Sequence, residues 1–88
     1  MRKIVYDGAL LKRHSASLQA IPKNVLEMIK YKIESAATDN YPHLYLTGTL
    51  KGFCKLKIAQ YRVIYSVDEK GNVLRVHKIG HRHNIYNL

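Results

Sequence analysis

Two segments in which apolar and polar side chains alternate flank the dipeptide Ala59-Gln60. Alternation with a period of two is typical of β-strands that are buried on one face. We therefore predict strands from Phe53 to Ile58 and from Tyr61 to Val67, joined by a two-residue loop that lacks the usual Gly or Asn. In this register Ile58 lies directly opposite Tyr61, which decides the face of every other hairpin side chain.

The two faces of this hairpin differ in composition. One is apolar and is the expected core face: Cys54, Leu56, Ile58, Tyr61, Val63, Tyr65 and Val67. The other collects Phe53, Lys55, Lys57, Arg62, Ile64 and Ser66. Lys57 is expected directly across from Arg62, and like charges placed opposite each other destabilise a sheet. A bound phosphate would remove that cost, so this basic face predicts a phosphate site; an exposed sheet face that is merely basic is the alternative.

A third strand is predicted from Val73 to Ile79, after a turn at Asp68-Glu69-Lys70-Gly71-Asn72. Strict alternation gives this strand one face with Val73, Arg75, His77 and Ile79 and another with Leu74, Val76 and Lys78. Burial of Leu74 and Val76 would add Arg75 and His77 to the basic face. A one-residue shift in the turn would reverse the assignment, and the sequence leaves both registers open.

The first half of the chain is predicted to hold one short strand and two helices. The strand runs from Arg2 to Tyr6, and Asp7 can cap a helix from about Gly8 to Gln19. A second helix is expected to carry Pro22 in its first turn.

The second helix is predicted to bury one apolar face, formed by Leu26, Ile29, Ile33 and Ala36. It should end near Asp39-Asn40, because the residue before Pro42 disfavours helical geometry. The expected fold is α+β with the order β-α-α-β-β-β. A helical hairpin packs on one face of a mainly antiparallel, four-stranded sheet.

The chain's size and composition exclude several classes of protein. Its 88 residues predict a single domain over positions 1–88, and no apolar run approaches the roughly 18 residues of a membrane span. The N-terminus does not resemble a signal peptide. Cys54 is the only cysteine, which excludes an internal disulfide and a thiolate zinc site and favours a reducing, cytoplasmic location.

The net charge predicts a polyanionic partner, either nucleic acid or an acidic protein. Fifteen Lys and Arg stand against six Asp and Glu, a formal charge of +9. Residues 45–88 hold eight basic and two acidic side chains, whereas residues 1–44 hold seven and four. A solvated surface that only aids solubility is the alternative.

The segment from Gly80 to Tyr86 gathers His81, Arg82, His83 and a terminal phenol within seven residues. Arginine can hold a phosphate bidentately and stabilise charge that develops on it. Histidine can move protons near neutral pH, and tyrosine can stack on a base or donate a proton. A metal site is disfavoured because this tail has no Cys or carboxylate.

These residues resemble the RelE-type toxins of the RelE/ParE superfamily. The segment from Lys55 to Tyr65 is similar to the central hairpin of that family, and Gly48 to Gly52 matches the loop before it. Ile79-Gly80-His81-Arg82 followed by Tyr86 is similar to the family's C-terminal motif.

The resemblance implies the toxin of a type II toxin–antitoxin system that cleaves mRNA in the ribosomal decoding site and so inhibits translation. The 2′-OH of the RNA would attack the adjacent phosphate. By motif position the catalytic set is Lys55, Lys57, Arg62, Arg82 and Tyr86, with His81 or His83 as further proton-transfer candidates. Candidate RNA contacts are Lys51, Arg75 and His77. No cofactor is implied, and the implied partners are an acidic antitoxin and mRNA on the ribosome.

Two other functions stay open. A ParE-like protein would share the fold and inhibit DNA gyrase without cutting nucleic acid itself. A degenerate toxin would only bind its antitoxin. The combination of basic and aromatic residues favours the endoribonuclease.

Overall fold

A computed structural model describes residues 1–7, 21–39, 43–48 and 51–83. The elements are β1 (Lys3–Tyr6), α1 (Lys23–Ala37), β2 (Leu44–Tyr45), β3 (Cys54–Ile58), β4 (Tyr61–Asp68) and β5 (Val73–His81). The helix predicted from Gly8 to Gln19 lies outside the described residues. Among the described residues, no helix is long and apolar enough to cross a membrane.

The strands form one five-stranded sheet in the order β1-β5-β4-β3-β2. β1 runs parallel to β5, and the other neighbours are antiparallel. The α+β class and the mainly antiparallel sheet are confirmed, but the prediction of four strands was wrong by one. The additional strand β2 pairs through only two residues, Leu44 with Lys55 and Tyr45 with Cys54, and two residues are too few for an alternating pattern.

Helix α1 covers one face of the sheet and closes the core. Its buried side chains are Ile29, Ile33, Ala36 and Ala37, and Val25 and Leu26 pack against them at the margin. The strands contribute Cys54, Leu56, Ile58, Val63, Tyr65, Leu74, Val76 and Ile79. The predicted helix face and hairpin core face are therefore confirmed, with Tyr61 and Val67 partly buried at the rim.

Both ends of α1 differ slightly from prediction. Pro22 precedes the helix rather than lying in its first turn, and its carbonyl accepts the N–H groups of Val25 and Leu26. The helix ends at Ala37, two residues before the predicted Asp39, because Asp39 takes a left-handed backbone (φ 60°) that leaves the helical path.

The β3–β4 hairpin has the predicted register, with Ile58 opposite Tyr61 and Lys57 opposite Arg62. Ala59 takes φ 52° in the two-residue loop, a left-handed conformation that a Gly or Asn would adopt more easily.

A β-bulge in β5 interrupts the strict alternation that was predicted for this strand. Ile64 pairs with Lys78 and Tyr65 pairs with Val76, so His77 is the extra residue. From Lys78 onward, each side chain therefore lies on the face opposite to the one that strict alternation predicts. Ile79 is therefore buried in the core instead of sharing a face with His77, and Lys78 joins the basic face.

Candidate functional site

The basic face ends, next to the β3–β4 hairpin loop, in a row of three paired residues: Lys57 on β3, Arg62 on β4 and Gly80 on β5. Lys57 is exposed and Arg62 half-buried. Gly80 has no side chain, so the side chains of this row are those of Lys57 and Arg62. The row therefore offers two cations at directly opposed positions.

The Arg62 guanidinium is held by the backbone of its own hairpin. Its NH1 group donates to the carbonyls of Ala59 (3.0 Å) and Tyr61 (2.8 Å). These contacts use one nitrogen and neutralise no charge. Among the described residues, no carboxylate pairs with Lys57, Arg62 or Arg82, so the positive charge stays available to a ligand.

The end of β5 folds against the hairpin loop. The backbone N–H of Arg82 donates to the carbonyl of Gln60 (2.8 Å), and His81 Nε2 lies 3.2 Å from Gln60 Oε1. The His83 N–H donates to His81 Nδ1 at 3.3 Å, and the two imidazoles stack with centroids 4.8 Å apart. Arg82 and His83 are exposed. The structure thus brings the backbone of Arg82 beside the Lys57–Arg62 row. His81 pairs with Tyr61 and its ring meets the Tyr61 ring, with centroids 5.9 Å apart, so its side chain lies on the opposite face from Lys57 and Arg62.

The next row along the sheet places Ile64 between Lys55 and Lys78. Ile64 is only 2% exposed although it lies outside the core cluster. Its two neighbours are half-buried lysines, whose aliphatic stems can cover an apolar side chain while the ammonium groups reach solvent. This row extends the basic face away from the hairpin.

A third group lies farther along the same face. Ser66 pairs with the exposed Arg75, and Ser66 Oγ lies 2.8 Å from His77 Nε2. The Phe53 ring meets the His77 ring edge to face, with centroids 4.9 Å apart. Burial lowers the pKa of His77, as does Arg75, while Asp7 opposes the shift. His77 is therefore held neutral near pH 7.

Two candidates are not placed in this arrangement. Lys51 lies in the turn before β3, at the opposite end of that strand from Lys57. Tyr86 lies outside the described residues. Arg75 and His77 do lie on the basic face, in the register that buries Leu74 and Val76.

Sequence reasoning missed two cations near the candidate site. Lys78 reaches the basic face only because of the bulge at His77. Lys32 of α1 donates from Nζ to the carbonyl of Lys57 at 3.1 Å, across the part of the β3 edge that β2 leaves uncovered. No local sequence signal predicts the position of either lysine, since each position depends on how distant elements pack.

Within the part of the chain that the structure describes, no three His, Cys, Asp or Glu side chains group as a metal site would require. Cys54 is buried, and its burial raises the pKa of the thiol.

Comparison with protein-family models matches residues 10–86 to the ParE toxin of the type II toxin–antitoxin system parDE. The chain belongs to this toxin family. No protein of curated function matches the toxin in sequence.

The toxin's fold is shared by solved structures of low sequence identity. The isolated E. coli RelE toxin is 21% identical, with a TM-score of 0.73 over 92% of this chain and 84% of RelE. YafQ from E. coli is also 21% identical, with a TM-score of 0.71 over 99% of this chain and 100% of YafQ. The toxin also matches a chain of the YoeB–YefM complex from Staphylococcus aureus, at 16% identity and TM-score 0.69, over 92% and 97% of the two chains. The family-model match confirms the RelE/ParE superfamily expected from the sequence.

Proposed function

We propose that this toxin is a ribosome-dependent mRNA endonuclease. The observation that carries the proposal is the pairing of Lys57 with Arg62 beside the Arg82 backbone, in a cluster without a compensating carboxylate among the described residues. Like charges at directly opposed positions cost stability. An RNA phosphate bound between them reverses the sign of that interaction.

The chemistry follows from what these groups can stabilise. The RNA 2′-oxygen loses its proton and forms a bond to the adjacent phosphorus, while the bond to the 5′-oxygen breaks and that oxygen takes up a proton. The phosphorane-like transition state carries more negative charge than the ground state. Arg62, pinned by its hairpin, and Arg82 act by stabilising that charge with donors already in position.

Proton transfer falls to the other groups at this end of the sheet. Lys55, Lys57, His81 and His83 are the described candidates, and Tyr86 is the candidate from the family motif. In the hydrogen-bonding arrangement of His81, Nε2 donates to Gln60 and Nδ1 accepts from the His83 backbone. An imidazole can take the 2′-OH proton as a base or, when it is protonated, give a proton to the 5′-oxygen.

The need to position a flexible RNA strand is the reason for proposing a ribosome. The proposed site lies on one face of the sheet, at the paired residues Lys57 and Arg62. Holding the reacting oxygen in line with phosphorus is worth a large part of a barrier. A ribosome that presents its mRNA in a fixed conformation would supply this positioning, and would place the toxin in the cytoplasm.

An acidic antitoxin is the proposed protein partner. Solved structures of similar fold include the intact E. coli RelBE toxin–antitoxin complex, at 19% identity. The charge of +9 would steer an acidic chain to the toxin and make the association rate fall with salt. An antitoxin bound over the basic face would compete with RNA.

Reporter mRNAs in a reconstituted translation system test the proposal. The wild-type toxin should cut only mRNA that is being translated. The double variant Lys57→Ala, Arg62→Ala should lose cutting by at least about 10²-fold, since removing one such donor costs about that much. The matched control Lys23→Ala, Lys30→Ala removes the same charge from exposed positions of α1 and should cut normally. Equal cutting by the two double variants would overturn the proposal.

The second candidate is a gyrase inhibitor of the ParE type, favoured by the family model that matches the toxin. It predicts loss of DNA supercoiling while translation continues and reporter mRNA stays intact. Measuring plasmid supercoiling and protein synthesis in the same culture separates the two functions. A chain that does neither but binds its antitoxin would be a degenerate toxin.

A further inference from the structure

A group of four side chains lies on the basic face away from the Lys57–Arg62 row: Phe53, Ser66, His77 and Asp7. It joins three strands of the sheet, because Ser66 belongs to β4, His77 is the bulged residue of β5, and Asp7 follows β1. The Asp7 N–H extends the β1–β5 pairing by donating to the Val76 carbonyl at 2.9 Å. The arrangement is therefore anchored in the sheet itself.

Both ring nitrogens of His77 face protein groups. Nε2 lies 2.8 Å from Ser66 Oγ, and Nδ1 lies 3.6 Å from Asp7 Oδ2. The neutral tautomer that suits both neighbours carries its proton on Nδ1, toward the carboxylate, and accepts the Ser66 hydroxyl at Nε2. With its nitrogens engaged, the imidazole has its ring surface to offer a ligand, and 23% of the side chain is exposed.

The Phe53 ring completes an aromatic pair with His77 at right angles, 4.9 Å between centroids. The fixed orientation matters because a ring that is already held loses little entropy when a second ring stacks on it. The neighbouring cations identify the kind of ligand. Arg75 pairs with Ser66 on one side, and the Lys55–Ile64–Lys78 row lies on the other.

The spacing along β4 connects this pair with the proposed phosphate site. Arg62, Ile64 and Ser66 project from the same face at steps of two residues, so Ser66 lies about 13 Å from Arg62 at roughly 3.3 Å per residue. A nucleotide flanking a phosphate at Arg62 would run past the two lysines and bring its base to the aromatic pair. Flat aromatic surfaces beside cations are the usual means of binding unpaired bases.

We propose that Phe53 and His77 form a stacking subsite for an unpaired nucleobase flanking the cleaved phosphate, with purines favoured over pyrimidines. The inference rests on the proposed RNA-cleaving function and adds a source of sequence preference to it. Purines are preferred because they present the larger stacking surface, and neither ring offers a hydrogen bond that would read one base edge.

Binding of uncleavable RNA tests the subsite apart from catalysis. The probes are 2′-O-methyl RNA pentamers, which lack the attacking hydroxyl, with A or U at the positions flanking the central phosphate. Fluorescence anisotropy at low salt should show tighter binding of the A probes. Phe53→Leu should weaken their binding about five-fold or more, because stacking is worth roughly 1–3 kcal/mol per base. Phe53→Tyr keeps a ring and should bind like the wild type.

Two further variants control the measurement. His77→Gln retains a partner for Ser66 but removes the ring, so it should also lose the preference for A. Tyr31→Leu makes an aromatic-to-aliphatic change on α1, where Tyr31 is 71% exposed, and should leave binding unchanged. Thermal melts identify any variant that fails to fold. The ring variants that do fold then decide whether Phe53 and His77 form the subsite.

Cleavage of mRNA on programmed ribosomes distinguishes failure of the base subsite from failure of the proposed endonuclease function. Messages that differ only in the bases flanking one codon should be cut with a purine preference by the wild type and without it by folded Phe53→Leu. If the wild type cuts no message, the proposed function fails, and the pentamers still decide whether bases stack here. An A/U preference that persists in folded Phe53→Leu and His77→Gln overturns the subsite. So does a Phe53→Leu defect confined to binding of a co-purifying antitoxin.

Discussion

The two ends of the sheet both bring arginine and histidine together, but among the described residues only one end supplies carboxylates. At the β4–β5 turn, Arg2 contacts Asp39 and also Glu69 (3.2 Å), and its side chain is 10% exposed. At the β3–β4 hairpin, Arg62 contacts backbone carbonyls. The first arginine is compensated in charge, whereas the second keeps its charge for a ligand.

The compensated end extends inward as a chain of hydrogen bonds. The His43 ring joins Asp39 Oδ1 at 2.9 Å to the buried Tyr65 hydroxyl at 2.7 Å. The hydrogen bond from His43, followed by that from Arg2, lowers the pKa of Asp39. This network ties the C-terminal end of α1 to the sheet. The contrast leads us to propose that charge at the turn serves the fold and that charge at the hairpin loop serves binding.

The largest expected effect is on Arg82, which comes to the hairpin end through its backbone alone. Arg82→Ala should lower the cleavage rate by roughly 10²–10³, because a donor aimed at developing charge is worth about that much. Its stability should change by no more than about 0.5 kcal/mol, since the side chain is exposed. Single-turnover cleavage on programmed ribosomes and a thermal melt measure the two quantities.

Two controls sharpen this result. Arg82→Lys should stay below wild-type activity, because an ammonium cannot reproduce the guanidinium fork. Leu56→Ala, at a fully buried core position, should act through stability and cost about 2–5 kcal/mol. A folded Arg82→Ala protein that cleaves at the wild-type rate would remove Arg82 from the site.

The turn end should show its role through pH. The folded-state pKa of Asp39 lies below its ordinary value, so this carboxylate stabilises the fold above the ordinary aspartate pKa of about 3.9. That contribution is lost as the pH falls through the lowered value. Asp39→Asn should therefore melt at a lower temperature than the wild type at pH 6, and the difference should shrink as the pH drops below about 4.

Melts of both proteins from pH 7 to pH 2 check this expectation. His77 titrates in a different range, because its lowered pKa makes stability fall as the pH drops below the ordinary histidine value of about 6.5. Titration of His77 affects the wild type and Asp39→Asn equally. The difference between their melting temperatures therefore reports the contribution of Asp39 to stability. A difference that stays constant down to pH 2 would show that the network contributes no charge-dependent stability.

The sequence predicted the hairpin end better than the rest of the sheet. Alternation on both strands and a loop of two residues together allow one register, and Lys57 lies opposite Arg62 as expected. The apolar face of α1 was equally readable, since Ile29 and Ile33 recur at helical spacing and are buried.

Other features depend on contacts between distant segments. The bulge at His77 has no compositional mark, although it moves Lys78 to the basic face and Ile79 into the core. The Asp7 carboxylate lies 3.6 Å from His77 Nδ1, a contact set by the pairing of β1 with β5. Such features follow from tertiary structure, which local patterns do not encode.

A smaller effect is expected for Lys78, which lies on the basic face because of the bulge at His77. Lys78→Ala should weaken binding of the 2′-O-methyl pentamers and reduce the slope of log K against log[salt] by about 0.7, the value for one phosphate contact on a single strand. Lys70→Ala removes the same charge from the exposed β4–β5 turn and should leave the slope unchanged. Equal slopes for the two variants would place Lys78 outside the RNA path.

The smallest expected effect concerns the loop that holds Arg62. Ala59 has φ 52°, and a left-handed conformation costs a residue with a Cβ roughly 1–2 kcal/mol. Glycine removes that cost but loses about 0.5–1 kcal/mol more backbone entropy on folding. Ala59→Gly should therefore be slightly more stable, by up to about 1.5 kcal/mol, or a few degrees in Tm. The Ala59 carbonyl that accepts from Arg62 is kept, so cleavage should not change. Gln60, which has no positive φ, is the matched position, and Gln60→Gly should lower Tm because it adds chain entropy without relieving strain. If Ala59→Gly destabilises the toxin as much as Gln60→Gly, the left-handed residue is not a strained point of the hairpin.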